Sequence, residues 1–201
     1  MMVRKTQDMH KTGPSSWAAS ARTMESKDEL IPHGYSCYAS HEGRKQMQVH
    51  EELLREIQEF SKTAPTAKAV MEHISHRLHE KMTRYNWVGF YLVDPADPGV
   101  LLVGPFAGSF TPNARIPLGT GLCGAAASSG ETVVVHDVAK DPRYLAGSPL
   151  VKGEIVVPIF VKGQLVAVLD IESYFTSTFT DGEKDFVEAC AGVVGKYMAK
   201  G

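Results

Sequence analysis

The chain has 201 residues, of which 43% are hydrophobic, and a formal net charge of −2 at pH 7. This length and composition allow one domain of ordinary size with a substantial core. The near-neutral charge excludes a general basic surface of the kind that attracts nucleic acid. No apolar run reaches the roughly 18–20 residues that a membrane-spanning helix requires. We therefore expect neither nucleic acid nor a membrane among the partners.

Three cysteines, Cys37, Cys123 and Cys190, lie far apart in the sequence and form no CxxC pair. An odd and sparse set of cysteines argues against the disulfide framework of a small secreted protein. The N-terminus also lacks the apolar segment of a secretory signal. These features favour a cytoplasmic location in which the thiols stay reduced.

Residues 1–45 are rich in Ser, Gly, Pro and charge and show no sustained apolar period. We expect them to form a poorly ordered N-terminal tail, with a transit peptide as the alternative. From Met47 onward apolar residues recur every three or four positions, which predicts an amphipathic helix. A second helix is predicted after Thr63, with Pro65 in its first turn. One domain is therefore expected over residues 46–201.

Patterns typical of β-strands follow the two helices. The segment Asn86–Asp94 predicts a strand with Trp87 and Tyr91 on one face and Val88 and Phe90 on the other. The remaining elements before the last hairpin are predicted at Val100–Phe106, Ala114–Ile116 and Thr132–His136 as strands and at Gly121–Ser129 as a short helix.

The segments EIVVPIF and LVAVLDIES flank the sequence VKGQ and predict a β-hairpin. A two-residue turn at Lys162 and Gly163 would split the apolar residues between the two faces. A three-residue loop over Lys162–Gln164 would instead pair Val161 with Leu165 and keep one face continuously apolar. Because a slip of one residue moves the whole apolar set to the other face, we predict the three-residue loop.

This register places three carboxylates, Glu154, Asp170 and Glu172, at neighbouring positions on the opposite face. They would repel one another unless a cation joined them, so that face is either open to water or a pocket for a positive group. Acidic residues are unfavourable inside such β-branched strands. With Trp87 and Tyr91 predicted beside them, we favour a ligand pocket.

The C-terminal segment FTDGEKDFVEACAGVVGKYMAK predicts a helix. Thr180 and Glu183 have the spacing of a capping box, and Cys190 lies on the apolar stripe. Helices at both ends of the chain would then cover one face of an antiparallel sheet, which makes the predicted fold class α+β.

No motif predicts a metal ion or a cofactor. His73, His76 and His79 recur every three residues, but a helix turns by about 100° per residue, so the three cannot converge on one ion. The glycine-rich sequence GTGLCG lacks the lysine of a phosphate-binding loop.

The segments NWVGFYLVD, LLVGPFAG, RIPLGTGLCGAAASSGET, VHDV, GEIVVPIF and VAVLDIES follow one another between Asn86 and Ser173. In this order they resemble a GAF domain, and more narrowly the free methionine-(R)-sulfoxide reductase family. The resemblance implies a six-stranded antiparallel sheet with the N- and C-terminal helices on one face and a ligand pocket on the other.

The resemblance also implies a chemistry for that pocket. In such enzymes a thiolate attacks the sulfoxide sulfur, a second cysteine resolves the sulfenic acid, and thioredoxin restores the thiols. The residues that align with the binding site for the substrate's ammonium are Glu154, Asp170 and Glu172. Those that align with the wall around its methyl end are Trp87 and Tyr91.

Two of the three family cysteine positions hold other residues here, namely Asn113 before RIP and Gly147 in the loop before EIV. Only Cys123 remains, and neither asparagine nor glycine can form or resolve a sulfenic acid. We therefore predict a sensory or regulatory binding module for an amino-acid-like or amine-bearing molecule, with Cys123 as a packing residue and a homodimer formed through the terminal helices. The alternative is a reductase in which Cys123 is catalytic and thioredoxin or another external thiol completes the cycle.

Overall fold

The computed structural model describes residues 40–109 and 113–200, which form a six-stranded antiparallel sheet with four α-helices. The strand order across the sheet is β3-β2-β1-β6-β5-β4. The strands are β1 (Trp87–Val93), β2 (Val100–Gly108), β3 (Arg115–Pro117), β4 (Val133–Val135), β5 (Gly153–Val161) and β6 (Gln164–Ser173). The helices are α1 (His41–Thr63), α2 (Ala67–Lys81), α3 (Gly121–Ser129) and α4 (Asp181–Met198).

The helices lie on both faces of the sheet, and each face has its own apolar core. Helices α1, α2 and α4 cover one face, where Ile57, Phe90 and Val187 are fully buried. Helix α3 lies on the other face, where Leu122 and Val168 belong to a second core. This arrangement confirms the α+β class and the terminal helices on one face, and it leaves the opposite face to the candidate pocket. Within the described residues, no helix has both the length and the apolar character needed to cross a membrane.

Helix α1 begins before the predicted domain boundary at residue 46. Its first residue is His41, and the Ser40 hydroxyl accepts a hydrogen bond from the Gly43 backbone N–H at 3.0 Å, which caps the helix. The remainder of the predicted tail, with Cys37, lies outside the described residues.

The prediction for the start of α2 was wrong in one detail. The N-cap is Thr66, whose hydroxyl accepts a hydrogen bond from the Ala69 backbone N–H at 3.1 Å. Pro65 therefore precedes the helix instead of occupying its first turn. The Thr66 hydroxyl accepts a hydrogen bond from a backbone N–H of the first turn, which a proline side chain cannot do.

The turn between β5 and β6 was also predicted incorrectly, although the register of the strands was right. The structure has a two-residue turn that pairs Val161 with Gln164. Both central residues have positive φ, 51° at Lys162 and 80° at Gly163, as a type I′ turn requires. The predicted three-residue loop over Lys162–Gln164 is therefore absent.

A β-bulge restores the predicted register immediately beyond that turn. Phe160 pairs with Leu165, but Ile159 pairs with Ala167, so Val166 is an extra residue on β6. From there onward the pairs match the prediction, including the pair of glutamates, Glu154 and Glu172. The bulge shifts the strand by one residue, which is what the three-residue loop was expected to do.

At the start of α4 only half of the predicted capping box forms. The Thr180 hydroxyl accepts a hydrogen bond from the Glu183 backbone N–H at 3.4 Å. The Glu183 carboxylate does not return to the N-cap, because it accepts hydrogen bonds from the side chains of Tyr85 and Gln46. This buried acid joins α4 to α1 and to the segment before β1.

Two substitutions test the type of turn between β5 and β6. We expect Lys162→Asn to raise the free energy of unfolding by about 0.5–1 kcal/mol, because asparagine adopts positive φ more readily than lysine. Gly163→Ala should lower it by about 1 kcal/mol, because alanine is strained at positive φ. Urea unfolding followed by circular dichroism measures both changes. A three-residue loop would not require positive φ at Lys162, and equal stability of Lys162→Asn and the wild type would argue against the turn described here.

Candidate functional site

The three carboxylates predicted to share a face do so. Glu154 pairs with Glu172 across β5 and β6, and Asp170 is two residues before Glu172 on the same strand. Their exposed fractions are 5%, 3% and 4% for Glu154, Asp170 and Glu172. Burial of this degree excludes the alternative of an acidic face open to water, so the acids point into the protein on the side covered by α3.

Two aromatic residues of β1 lie on the same face as the acids. Trp87 pairs with Glu172 in the sheet, and both Trp87 and Tyr91 are fully buried. The Trp87 ring stacks on Phe106, with centroids 5.7 Å apart, and lies 6.1 Å from the Tyr91 ring. Its position requires glycine at residue 89, where a Cβ would be 2.2 Å from Trp87 Cη2. The aromatic side chains are thus held rigidly beside the acids.

Helix α3 brings a thiol to the carboxylates. Cys123 is in the first turn of α3, is 4% exposed, and donates a hydrogen bond from Sγ to Asp170 Oδ2 at 3.3 Å. A Cβ at Gly124 would lie 2.7 Å from the Gly119 backbone nitrogen, so the helix can approach the preceding loop only with glycine at that position. The glycine-rich segment therefore serves to seat the thiol against the sheet.

A small cavity of about 20 Å³ lies between α3 and the acids. Its lining includes the predicted residues Tyr91, Cys123, Glu154, Asp170 and Glu172, together with Asn113, Ile116, Gly121, Leu122, Leu145 and Gly147. A cavity of this size holds about one water molecule. Binding of a molecule as large as an amino acid would therefore require the segments that line the cavity to move apart. Trp87 is not among the residues that line this small cavity; its indole lies beside Tyr91, with ring centroids 6.1 Å apart.

Asn113 and Gly147, the two positions at which the family resemblance implies cysteine, both line this cavity with Cys123. The structure thus brings all three positions to one place, and only one of them carries a thiol. The other cysteine in the described part of the chain, Cys190, is buried in the core on the opposite face of the sheet and does not reach the cavity.

Two carboxylate oxygens in the cluster have no hydrogen-bond partner among residues 40–109 and 113–200. They are Asp170 Oδ1 and Glu172 Oε2, both buried. Unpartnered buried acceptors are costly, so their presence indicates a group with hydrogen-bond donors or positive charge. An ammonium group has three N–H donors and no acceptor, which suits a cluster of three carboxylates.

Burial makes every acid of the cluster harder to ionise. It raises the pKa of Asp170 to about 7, against the opposing effect of the hydrogen bond from Cys123. Burial, and then the charge of Asp170, raises the pKa of Glu172 to about 9. The pKa of Glu154 is also raised well above its ordinary value by burial and by the two neighbouring acids. Near neutral pH the cluster therefore retains protons that a bound cation could replace.

The same environment acts on the thiol. Burial, followed by the charges of Asp170 and Glu154, raises the pKa of Cys123 well above its ordinary value. With the acids ionised and no cation nearby, the thiol keeps its proton. A positive group bound to the acids would oppose this effect and lower the pKa of the thiol.

Sequence reasoning missed two residues in the loop before β5. Leu145 lines the cavity although it is 42% exposed, and it packs against Gly121 at the start of α3. Tyr144 packs on the core beneath α3, and its pKa is raised by burial and by the charges of Glu172, Glu154 and Asp170. The loop has no apolar period, so its sequence gave no signal that these side chains approach the acids.

The family model for the GAF domain matches residues 67–198, which include the whole sheet, α2, α3 and α4. The chain belongs to the GAF domain family. The GAF assignment agrees with the six-stranded antiparallel sheet and its four helices.

Similar proteins include several reductases. Over 131 residues the chain is 34% identical to the free methionine-R-sulfoxide reductase of Escherichia coli, which covers 65% of this chain and 77% of that protein. The structure of the Neisseria meningitidis free methionine-R-sulfoxide reductase in complex with its substrate is 32% identical, with a TM-score of 0.72 and coverage of 77% of this chain and 92% of that one. The reduced enzyme of Staphylococcus aureus is 33% identical, with a TM-score of 0.70 and coverage of 75% and 95%. The predicted homology to these enzymes is confirmed.

The buried acids make stability depend on pH in a direction opposite to that of paired surface acids. A carboxyl group whose pKa is raised on folding retains its proton in the folded state and loses it on unfolding, so stability falls as pH rises from the unfolded value toward the folded one. For Asp170 and Glu172 this window extends from about pH 4 to the folded values of about 7 and 9. We expect the free energy of unfolding to fall by several kcal/mol between pH 5 and pH 9, since one pKa unit corresponds to about 1.4 kcal/mol.

Asp170→Asn tests the source of that dependence. The substitution removes one titrating group and its repulsion of the charges on Glu154 and Glu172, and it keeps an oxygen that can accept the hydrogen bond from Cys123. It should therefore flatten the dependence of unfolding free energy on pH and stabilise the protein at pH 8. Urea unfolding at pH 5, 7 and 9 measures the slope, with Asp185→Asn on the exposed surface of α4 as the matched control. Identical slopes for Asp170→Asn and the wild type would contradict this electrostatic account.

Proposed function

We propose that the GAF domain binds free methionine-R-sulfoxide in the cavity between α3 and the acids and reduces it at Cys123, with an external thiol to complete the cycle. The observation that carries this proposal is the contact of the Cys123 thiol with Asp170, within a group of three buried carboxylates. The similarity to free methionine-R-sulfoxide reductases, three of which are at least 32% identical over most of the domain, supports the same substrate.

The carboxylates would recognise the α-ammonium group of the substrate. The unpartnered oxygens of Asp170 and Glu172 would accept its N–H donors, and Glu154 would supply a third acceptor. Such charge-assisted hydrogen bonds are stronger than those between neutral groups. Methionine within a peptide has no ammonium group at this position, so the same acids would favour the free amino acid.

The reaction requires a thiolate and a proton for the sulfoxide oxygen. Asp170 can take the proton of Cys123, and the Cys123 sulfur then attacks the sulfoxide sulfur. Asp170 can then pass this proton to the sulfoxide oxygen. Oxygen transfer converts the thiol to a sulfenic acid and releases methionine, so the sulfoxide is reduced by two electrons and Cys123 is oxidised by two.

The sulfenic acid must then be reduced from outside the described residues. Asn113 and Gly147 cannot resolve it, and Cys190 lies on the other face of the sheet. One external thiol would form a mixed disulfide with Cys123 and release water. A second would restore the Cys123 thiol and leave the external pair oxidised, a role that thioredoxin or a small dithiol can fill.

The second candidate is ligand binding without turnover, which was the principal prediction from the sequence. Two observations favour it: the replacement of two family cysteines by Asn113 and Gly147, and the raised pKa of Cys123. In this case the pocket would sense a free amino acid or another amine, and the terminal helices would pass the signal to a partner or to a second copy in the predicted homodimer.

A turnover assay separates the two candidates. The full chain is incubated with free methionine-R-sulfoxide and dithiothreitol, and methionine is measured by chromatography. We expect methionine to form, Cys123→Ser to abolish its formation, and Cys190→Ser and Cys37→Ser to leave it unchanged. The S epimer serves as the substrate control.

Calorimetry with the same ligand completes the test. Glu154→Gln should weaken binding by about tenfold or more, because the loss of one charged acceptor is worth about 1.5–3 kcal/mol. Binding that Glu154→Gln weakens, without turnover by the wild type, would support the sensory module and exclude the reductase. If the protein neither binds the sulfoxide nor turns it over, both candidates are excluded.

A further inference from the structure

The cluster beneath α3 also has the composition of a metal site. Cys123, Glu154 and Asp170 each offer one donor atom, and these three atoms lie within 4.8 Å of one another. All three side chains are at least 95% buried. A thiolate and two carboxylates carry enough negative charge to neutralise a divalent cation. No motif in the sequence predicted this grouping, because the three residues come from three separate elements: α3, β5 and β6.

The unpartnered oxygens provide an independent indication of a cation. Asp170 Oδ1 lacks a hydrogen-bond partner within residues 40–109 and 113–200, although Asp170 is 3% exposed and lines the cavity. Glu172 also lines the cavity, and its Oε2 atom likewise has no hydrogen-bond partner within those residues. A fully hydrogen-bonded cluster would need no further ligand. In this cluster two buried acceptors without partners belong to side chains that line the same cavity.

The distances suit a small tetrahedral ion. With Zn–S near 2.3 Å and Zn–O near 2.0 Å, two ligands of a tetrahedral zinc ion lie about 3.5 Å apart. Cys123 Sγ and Asp170 Oδ2 are already 3.3 Å apart. The Glu154 oxygen, within 4.8 Å of both, needs only a side-chain adjustment of about 1 Å to complete three ligands.

We propose that Cys123, Glu154 and Asp170 form a site for a thiophilic divalent cation such as Zn²⁺. The thiolate selects zinc-like ions over Mg²⁺ and Ca²⁺, which prefer sites made entirely of oxygen. This proposal does not depend on sulfoxide reduction, because metal binding requires only these side chains and no catalytic activity.

Metal binding at this position would exclude the amine ligand. The ion and an ammonium group would compete for the same carboxylates. The Cys123 sulfur would also be bound to the ion and so would not be free to attack. Zn²⁺ would therefore act as a competitive inhibitor of any amino-acid binding in the cavity.

Cobalt(II) provides a direct test because a thiolate–cobalt bond absorbs in the near ultraviolet and a tetrahedral cobalt ion absorbs strongly in the visible. The full chain carrying Cys37→Ser and Cys190→Ser, in which Cys123 is the single thiol, is reduced and titrated with Co²⁺ alone. We expect a charge-transfer band that saturates at one equivalent and disappears when Zn²⁺, but not Mg²⁺, is added.

Variants of the ligands define the site. In the same background Cys123→Ser should remove the charge-transfer band, and Asp170→Asn and Glu154→Gln should each raise the dissociation constant for Co²⁺ at least about tenfold. The exposed Asp185→Asn is the matched control and should bind as the background does. Circular dichroism confirms that each variant is folded. The absence of a band at stoichiometric Co²⁺, or a band that persists in Cys123→Ser, would overturn the proposal.

The outcome is separable from that of the proposed function. The cobalt titration contains no sulfoxide, and the turnover assay is run with a chelator present. Turnover without a cobalt band would reject the metal site alone, whereas a cobalt band without turnover would reject the reductase alone.

Discussion

The burial of three carboxylates on one face of the sheet is the constraint on which the rest of the site depends. Glu154, Asp170 and Glu172 are removed from water where no basic side chain is hydrogen-bonded to them in the described part of the chain. Isolated buried charges are strongly unfavourable, so the cluster must hold protons or a cation. An arrangement that costs stability and is surrounded by well-packed apolar cores is typical of a functional site. Its cost is accommodated by the extensive core on the opposite face, where α1, α2 and α4 pack.

Which residues face the site could be predicted because the apolar pattern of β5 and β6 rules out a register shifted by one residue. A slip of one residue would put Ile155, Leu169 and Ile171 on the wrong face, and this penalty is large compared with the preferences of a turn. The turn itself could not be predicted from the same pattern. A type I′ turn at Lys162 and Gly163 followed by a bulge at Val166 gives the same alignment as a three-residue loop, so the two solutions differ only in local backbone geometry.

Other parts of the site left little trace in the sequence. Tyr144 and Leu145 belong to an irregular segment whose placement depends on contacts with α3 and its core and not on any period. Trp87 was correctly placed on the face of the acids, because side chains alternate between the two faces along a strand. Glu183 matched a capping motif, yet its carboxylate turns to Tyr85 because a buried hydroxyl offers a better partner than an exposed backbone N–H.

Protons, an ammonium group and a metal ion would be mutually exclusive occupants of this cluster, and each would leave the thiol in a different state. Protonated acids leave Cys123 protonated, and a metal ion would hold its sulfur as a ligand. An ammonium group bound to Asp170 and Glu172 would cancel their negative charge and lower the pKa of the thiol while leaving the sulfur free. Binding of the amine would therefore also activate the nucleophile, so that a single cysteine would be reactive only when a free amino acid is in place.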